Sequence, residues 1–383
     1  MRKIARMTGW AILGLAVATA FVEIALRLTV ASPLWRVLPV PEVAVYGPDR
    51  STGYRHRPNV SGAWLQENRS WIKTSNLGLR DRDRQFARTD APRAVVLGNS
   101  VLEALQVELP QTAVYVAEQR LQQRHQGAEV INLGLAGANP PVIMARLQTL
   151  GASLHPDIAV IALPVNNFRS QQMTDDSSFT GYGRDPDGQF TLHYSFRQTR
   201  GYHFRTSRYG QLLYWSLDHS AIMRVINSRL NVGLFVEWPR SGKRDDEPPG
   251  CFNFRIPTQL ALWRDHRPAR ADLLLQAFIR DLSKFQTEHR IPTVVAITTM
   301  RSGCPDQADE RRAAIEAMEA RLKAAGIRMA DLDGLVAQRV GPANVSRLYG
   351  FESRLGHGHL NAEGNRVFGE VLADIVADAL ASR

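Results

Sequence analysis

Short β-branched segments alternate with longer amphipathic segments along most of this chain, and this alternation constrains its fold more than any other feature. Residues 93–97, 129–133 and 157–163 are three such segments. Helical periodicity follows the first two, and the alternation resumes after a helical pattern at Ala271–His289. Strands that alternate with helices typically build β-α-β units and a parallel sheet. The sequence therefore predicts an α/β, flavodoxin-like three-layer sandwich with about five parallel strands.

Two stretches lie outside this alternation. Residues 33–91 are rich in Pro, Gly, Ser and Trp and lack a long helical period, which predicts an irregular lead-in with short strands. Residues 168–265 are rich in Tyr, Trp and Arg and contain one helical stretch at Gln211–Arg229. They predict an insertion over one edge of the domain. The main domain is thus expected to span 92–383.

The N-terminal residues 1–32 predict a signal anchor. Three basic residues precede an apolar stretch that starts at Thr8 and is interrupted by Glu23. A basic segment before an apolar one directs a chain across a membrane, and roughly 20 apolar residues form a spanning helix. We expect a single-pass protein of the bacterial inner membrane with its main domain in the periplasm or outside the cell. An A-x-A-like site at Ala18–Ala20 leaves a cleaved signal peptide as the alternative.

The charge pattern argues against a nucleic-acid partner. The chain carries 47 Lys and Arg against 37 Asp and Glu, a formal net charge of +10. Acidic residues interrupt the basic runs, as in Arg80–Arg84, whereas a nucleic-acid binder shows a clustered basic face. We interpret the excess Arg as a solvated surface near anionic lipid.

The two cysteines predict one disulfide. Cys251 and Cys304 lie in turn-like segments flanked by Pro or Gly. Disulfides form in oxidising compartments, which is where we expect the main domain to lie. Two unrelated thiols are the alternative. Two cysteines are too few for a zinc module, and His357 with His359 is an isolated pair, so we expect no metal site.

Polar residues and glycines follow the predicted strands at the edge where a parallel sheet places its ligands. Ser100 follows the first strand, Gly137 lies in the loop after the second, and Asn166 follows the third. His359 comes just before the last predicted helix, for which Asn361 is the expected N-cap. Acyl transfer needs a hydroxyl nucleophile, a base for its proton, and N–H donors for the oxyanion. These residues supply that set.

Four sequence blocks resemble the SGNH hydrolases, also called GDSL-type esterases, and in particular their membrane-anchored bacterial members. The blocks are Arg93–Ser100, Asn132–Gly137, Pro164–Asn167 and His357–Gly364. The resemblance implies Ser100 as nucleophile and His359 as general base. It implies an oxyanion hole formed by the Ser100 amide, the Gly137 amide and the Asn166 side chain. It also implies no metal and no organic cofactor.

The chain departs from the pattern of this family at three positions. Asn99 replaces the Asp of Gly-Asp-Ser, and Asn167 replaces the Asp of Gly-Asn-Asp. Where the family has an Asp two or three residues before the catalytic His, this chain has His357 and Gly356. We expect Asn99, Asn167 and His357 to have orienting roles. The group that orients His359 stays open between a backbone carbonyl and a carboxylate from elsewhere in the chain. Glu352, Asp331 and Asp333 are the candidate carboxylates by proximity in sequence.

Two functions remain open at this point. The first is a membrane-anchored serine esterase or O-acyltransferase that acts on an acyl ester, in particular an acetyl ester, of an envelope polysaccharide or lipid. Such an enzyme would work alone or in an envelope acyl-transfer complex. The second is a catalytically degenerate domain that binds carbohydrate or serves as a scaffold in an envelope complex. The four retained site residues favour the first function, and the missing carboxylates favour the second.

Overall fold

The structure is a computed structural model that describes residues 2–38, 40–164, 178–230, 268–298 and 308–382. It begins with a long helix, α1 (Arg2–Ala31). Two antiparallel hairpins follow within the lead-in, namely β1 (Tyr46–Asp49) with β2 (Gly53–His56) and β3 (Ser61–Trp64) with β4 (Ser70–Lys73). These hairpins place the lead-in beside the central sheet.

Five parallel strands form the central sheet. They are β5 (Arg93–Leu97), β6 (Glu129–Asn132), β7 (Ile158–Pro164), β10 (Thr293–Thr298) and β11 (Arg328–Asp331), and their order is β11-β10-β7-β5-β6. A separate antiparallel hairpin consists of β8 (Gly181–Arg184) and β9 (Phe190–His193). The prediction of about five parallel strands is confirmed.

Ten further α-helices lie in the described part of the chain. They are α2 (Ser100–Glu103), α3 (Ala113–Gln122), α4 (Pro140–Arg146), α5 (Arg200–Thr206), α6 (Arg208–His219), α7 (Ala221–Leu230), α8 (Pro268–His289), α9 (Ala308–Ala324), α10 (Leu332–Val340) and α11 (Ala362–Ala381). As expected, Asn361 is the N-cap of α11, and its side chain accepts a hydrogen bond from Gly364 N at 2.9 Å.

Apolar layers cover both faces of the sheet. Successive side chains of a strand point to opposite faces, so Val95 joins the cluster that contains Phe278 of α8. Its neighbour Val96 joins the cluster that contains Phe368 of α11. All four side chains are buried. Helices therefore enclose the sheet on both sides, and the predicted three-layer sandwich is confirmed.

The order of the strands creates a crevice at their carboxyl ends. Strand β5 pairs with β6 on one side and with β7 on the other. The chain thus leaves β5 in one direction and leaves β6 in the opposite one. In open parallel sheets, ligands bind where the direction of winding reverses in this way. Ser100 lies at this point, three residues after the end of β5.

The helix predicted over Gln211–Arg229 is wrong as a single helix. Helices α6 and α7 are separated at Ser220, which has an extended backbone. The Ser220 hydroxyl accepts a hydrogen bond from Met223 N at 3.2 Å. A serine at the start of a helix satisfies N–H groups that have no partner within the helix. The Ser220 cap acts together with the Glu23 carboxylate of α1, which accepts from Ala221 N and Ile222 N, and the two interrupt a periodicity that otherwise continues.

Helix α1 is long enough and apolar enough to cross a membrane. The most apolar 18-residue window of the stretch Arg6–Ala31 has a mean hydropathy of 2.0 and contains no buried residues. A signal sequence near an N-terminus has the same length and composition as an anchor. The anchor and the cleaved signal peptide therefore both fit this helix.

Candidate active site

Ser100 lies at the start of α2, directly beyond the carboxyl end of β5. Asn99 is the N-cap of this helix, and its side chain accepts a hydrogen bond from Val101 N at 3.1 Å. A Cβ on Gly98 would lie 2.9 Å from the carbonyl oxygen of Ala162, so only glycine fits there. The turn between strand and helix is therefore tight, and it presents the Ser100 hydroxyl at the crevice.

The structure brings His359 to Ser100, although the two residues are 259 positions apart. The distance from His359 Nε2 to Ser100 Oγ is 2.8 Å. Backbone hydrogen bonds fix the loop that carries His359, because its carbonyl accepts from Gly350 N at 2.8 Å and Asn361 N donates to Leu348 O at 3.0 Å. The backbone hydrogen bonds of this loop, and not only the contact with the serine, thus fix the position of the imidazole ring.

A carboxylate from the lead-in contacts the other nitrogen of this imidazole. Glu67 lies in the turn between β3 and β4, and its two carboxylate oxygens are 2.9 and 3.0 Å from His359 Nδ1. Glu67 Oε2 also accepts a hydrogen bond from His359 N at 2.9 Å. An acceptor at Nδ1 favours the tautomer with its proton there. Nε2 is then left as an acceptor for the Ser100 hydroxyl.

Local backbone geometry allows Glu67 to approach. Glu67 itself has φ +63, in the left-handed region. The next residue, Asn68, donates its side-chain N–H to the carbonyl of Gln106 at 2.8 Å and ties the turn to the segment after α2. Gly358 has φ +83, and a Cβ there would lie 2.6 Å from Glu67 Oε2. A side chain at position 358 would occupy the space that the carboxylate needs.

Sequence proximity did not identify this acid. Asp331 caps α10 by accepting from Gly334 N at 2.9 Å, and Asp333 accepts from the Thr298 hydroxyl at 2.6 Å. Among the described residues, the carboxylate at Nδ1 of the imidazole is that of Glu67 and not that of Glu352. The three candidates that sequence proximity suggested are therefore wrong. The only hint in the sequence was a polar turn, Gln66–Arg69, between two short strand-like segments.

The predicted oxyanion hole is described in part. Gly137 has φ +70 and lies in the loop after β6. Leu135 N of this loop donates to Gly98 O at 3.0 Å, so the loop is tied to the turn that carries the nucleophile.

His357 lies two residues before His359, and its backbone N donates to Arg354 O at 3.2 Å. Four predicted positions fall outside the described residues, namely Asn166, Asn167, Cys251 and Cys304.

A buried carboxylate connects the helix that carries the nucleophile to the lead-in. Glu103, at the end of α2, is 1% exposed and accepts a hydrogen bond from the Tyr46 hydroxyl at 2.7 Å. His56 Nε2 lies 2.5 Å from the same oxygen. Burial, together with the charge of Glu103, raises the pKa of Tyr46 well above its ordinary value, so this hydroxyl stays a donor. The lead-in therefore anchors the short helix that begins with Ser100.

Solved structures similar to this chain include one named as a lipolytic protein and one named as an acetylxylan esterase. One is TesA, with 12% identity and a TM-score of 0.38 over 75% of this chain and 99% of that one. Another is a lipolytic protein of the G-D-S-L family from Desulfitobacterium hafniense, with 12% identity and a TM-score of 0.35 over 74% and 98%. A third is Axe2, an acetylxylan esterase from Geobacillus stearothermophilus, with 11% identity and a TM-score of 0.36 over 74% and 94%.

One of these structures carries the G-D-S-L name of the family that the sequence blocks resemble. No protein-family model and no curated protein sequence matches the chain. At TM-scores below 0.5, the structural similarities carry no weight for the chemistry of the site. That chemistry rests on the contacts of Ser100, His359 and Glu67.

Proposed function

We propose that this chain is a serine hydrolase or acyltransferase of the SGNH type that acts on ester bonds. Ser100 is the nucleophile, His359 is the general base, and Glu67 is the carboxylate that orients the base. One observation carries the proposal, namely the continuous path of contacts at 2.8–3.0 Å from Glu67 through His359 to Ser100. This path has the arrangement of a Ser-His-Asp triad with Glu in the place of Asp.

The reaction follows from the geometry of these three groups. Ser100 Oγ attacks the ester carbonyl carbon while its proton passes to His359 Nε2. Glu67 stabilises the resulting imidazolium through Nδ1–H. The tetrahedral intermediate expels the alkoxide, which takes the proton back from Nε2, and the acyl group stays on Ser100. A water or an acceptor hydroxyl then attacks the acyl carbon of this acyl-enzyme and transfers its own proton to His359 Nε2. The second tetrahedral intermediate expels Ser100 Oγ, which takes that proton back, and the acid or the new ester is released.

The oxyanion of each tetrahedral intermediate needs N–H donors. We assign this role to the backbone amides of Ser100 and Gly137 and to the side chain of Asn166, as the sequence blocks imply. The hydrogen bond that ties the Gly137 loop to Gly98 supports the first two.

The alternative of a degenerate binding or scaffold domain rested on missing carboxylates. Glu67 supplies a carboxylate to His359 from another part of the chain. Asn99 serves as a helix cap, a role in which Asn and Asp are about equally effective. The missing Asp before His359 and the Asn at position 99 therefore remove no group that the proposed reaction requires, and this favours catalysis.

We further propose that α1 stays with the protein as a membrane anchor and that the catalytic domain faces the periplasm or the cell exterior. Large apolar side chains of α1 are exposed in the described structure, among them Ile12, Leu15 and Phe21. Such a surface is stable in lipid and costly in water. The substrate would be an acyl ester, in particular an acetyl ester, of an envelope polysaccharide or lipid. Transfer within an envelope complex would differ from hydrolysis only in the acceptor.

Labelling with a fluorophosphonate tests the proposed nucleophile. We expect the full chain to be labelled at Ser100, and labelling to disappear in Ser100→Ala and in His359→Ala. Peptide mass spectrometry locates the modified residue. Absence of labelling in the native chain, combined with absence of p-nitrophenyl acetate hydrolysis, would contradict the catalytic proposal and favour the binding domain.

Gly358→Ala tests the approach of Glu67. The new Cβ would lie 2.6 Å from Glu67 Oε2, so the carboxylate must move away from His359. We expect kcat to fall at least about 100-fold, since a misplaced orienting group costs this much in related sites. Gly326→Ala is the matched control, because Gly326 has φ +70 but no atom within 4 Å of the added Cβ. Equal losses of kcat in both variants would mean that backbone strain at a positive φ, and not displacement of Glu67, lowers the activity.

A further inference from the structure

A cavity of about 470 Å³ lies between the β1–β2 hairpin and helices α5 and α6. Three arginines line it, namely Arg55 and Arg57 at the end of β2 and Arg205 in α5. Tyr214 and Trp215 of α6 line the same space. None of these side chains belongs to the proposed triad, and the proposed reaction makes no use of the cavity.

Arg205 differs from the other two arginines because no acid of the described residues pairs with it. Arg57 donates to Asp218, and Arg55 lies 3.8 Å from Asp49. Arg205 is only 5% exposed, and its Nε has no hydrogen-bond partner among the described residues. Burial lowers the pKa of its guanidinium from the ordinary value. A buried charge without a counter-ion is costly, so the cavity has a place for an anion.

The cavity lies next to the attachment point of α1. Asp218, which lines the cavity, precedes the last residue of α6, His219. Arg27 of α1 donates to the His219 carbonyl. The Glu23 carboxylate accepts hydrogen bonds at 2.8–3.0 Å from the Ser220 hydroxyl and from the first two backbone N–H groups of α7. The helix that could enter a membrane is therefore fixed within a few residues of the cavity.

The outer face of α6 suits a membrane interface. Tyr209, Leu212 and Trp215 are each 58–61% exposed. Trp and Tyr are enriched where membranes meet water, and basic side chains are attracted there by anionic lipid. Trp215 belongs both to this exposed face and to the lining of the cavity. An amphiphile could thus lay its apolar part along α6 and place its charged group in the cavity.

We propose that this cavity binds a phosphate group, held by the Arg205 guanidinium with Arg55 and Arg57 beside it. Guanidinium groups match phosphate oxygens with paired hydrogen bonds. Two sources of that phosphate share this chemistry, a lipid headgroup and free inorganic phosphate, and the position beside α1 favours the lipid. The lipid source rests on the proposed anchor, whereas the phosphate site does not.

Native mass spectrometry of the full chain, released from nonionic detergent, tests the site with three probes. These are dioctanoyl phosphatidic acid, dioctanoylglycerol and inorganic phosphate. The first two share their acyl chains and differ in the phosphate. We expect one phosphatidic acid per chain, bound at least about tenfold more tightly than dioctanoylglycerol. If inorganic phosphate displaces the phosphatidic acid at equal concentration, the source is free phosphate and not a lipid.

Arg205→Gln is the decisive variant. We expect it to weaken phosphatidic acid binding at least about tenfold. The ligand-free variant should melt at the same or a higher temperature than the native chain, because it removes an uncompensated buried charge. Arg208→Gln is the control, since Arg208 is exposed at the start of α6 and stacks on Tyr209. Should Arg205→Gln fail to fold, Arg205→Lys is the second variant. It keeps the positive charge but lacks the planar guanidinium that forms paired hydrogen bonds, so it should bind phosphatidic acid more weakly than the native chain.

Equal binding of phosphatidic acid and dioctanoylglycerol would overturn the phosphate site, and so would equal binding by the native chain and Arg205→Gln. Ser100→Ala should retain full binding, so a failure of the proposed hydrolase chemistry is separable from a failure of this site. The same spectra report the intact mass. A mature chain that has lost residues 1–20 and still binds phosphate would contradict the lipid source and the anchor, and would leave the phosphate site supported.

Discussion

Ser100→Ala and His359→Ala are each expected to lower kcat for ester hydrolysis by roughly 10⁴- to 10⁶-fold. The serine variant has no atom that can form the acyl-enzyme. The histidine variant retains the hydroxyl but loses the imidazole nitrogen at 2.8 Å that would take its proton. Because the two residues act as one unit, the double variant should be no slower than the worse of the single ones.

The measurement is steady-state hydrolysis of p-nitrophenyl acetate by the full chain in detergent, with thermal unfolding as a check of the fold. Ser153→Ala is the control, since Ser153 is exposed and its hydroxyl donates only to Leu150 O at 2.8 Å. It should retain the native kcat. Activity losses that add up in the double variant would argue that Ser100 and His359 act independently, and so against the proposed acyl-enzyme mechanism.

The sheet could be predicted from the sequence because its strands are encoded locally. The first predicted strand, 93–97, has the observed bounds. The second ends one residue earlier than predicted, and the third is shifted by one residue at both ends. Continuous β-branched runs mark strands that are buried on both faces. The proximity of Ser100 to His359 agrees with the same information, since the sequence analysis assigns both residues to the carboxyl edge of the sheet.

Glu67 could not be predicted in this way. It lies in a hairpin outside the β-α alternation, and the rule about carboxyl edges says nothing of where such a hairpin is placed. Its position depends on tertiary contacts, such as the hydrogen bond from Asn68 to Gln106 O and the burial of Glu103 between Tyr46 and His56. In the proposed mechanism, the functional unit therefore includes residues from the 33–91 segment.

The split of the helix predicted over Gln211–Arg229 has a related cause. Periodicity records which residues face the interior, but it does not record a cap supplied from a distant part of the chain. At Ser220 the break is stabilised by Glu23 of α1, 197 positions away. Local sequence patterns thus predicted most helices and strands. Long-range polar contacts determined where α6 ends and which carboxylate reaches His359.

The second large expected effect belongs to Glu67→Gln. The glutamine side chain has nearly the same shape, but its N–H₂ group can donate to Nδ1. This favours the imidazole tautomer that carries its proton on Nε2, where it cannot accept the proton of Ser100. In the Ser-His-Asp template, the equivalent amide substitution lowers kcat by about 10⁴-fold. We expect a loss of similar size here, with KM nearly unchanged, because Glu67 contacts the base and no proposed binding group.

Glu352→Gln is the matched control, because Glu352 is the nearest acid in sequence to His359 among those considered and, like Glu67, has a positive φ, of +50. It should leave kcat within about twofold, as is usual for substitutions away from a reacting group. Glu67→Asp should fall between Glu67→Gln and the native chain, since it keeps the charge and shortens the reach. If kcat drops in Glu352→Gln and is retained in Glu67→Gln, the present assignment of the orienting role to Glu67 is wrong. The catalytic proposal would then rest on Ser100 and His359 alone.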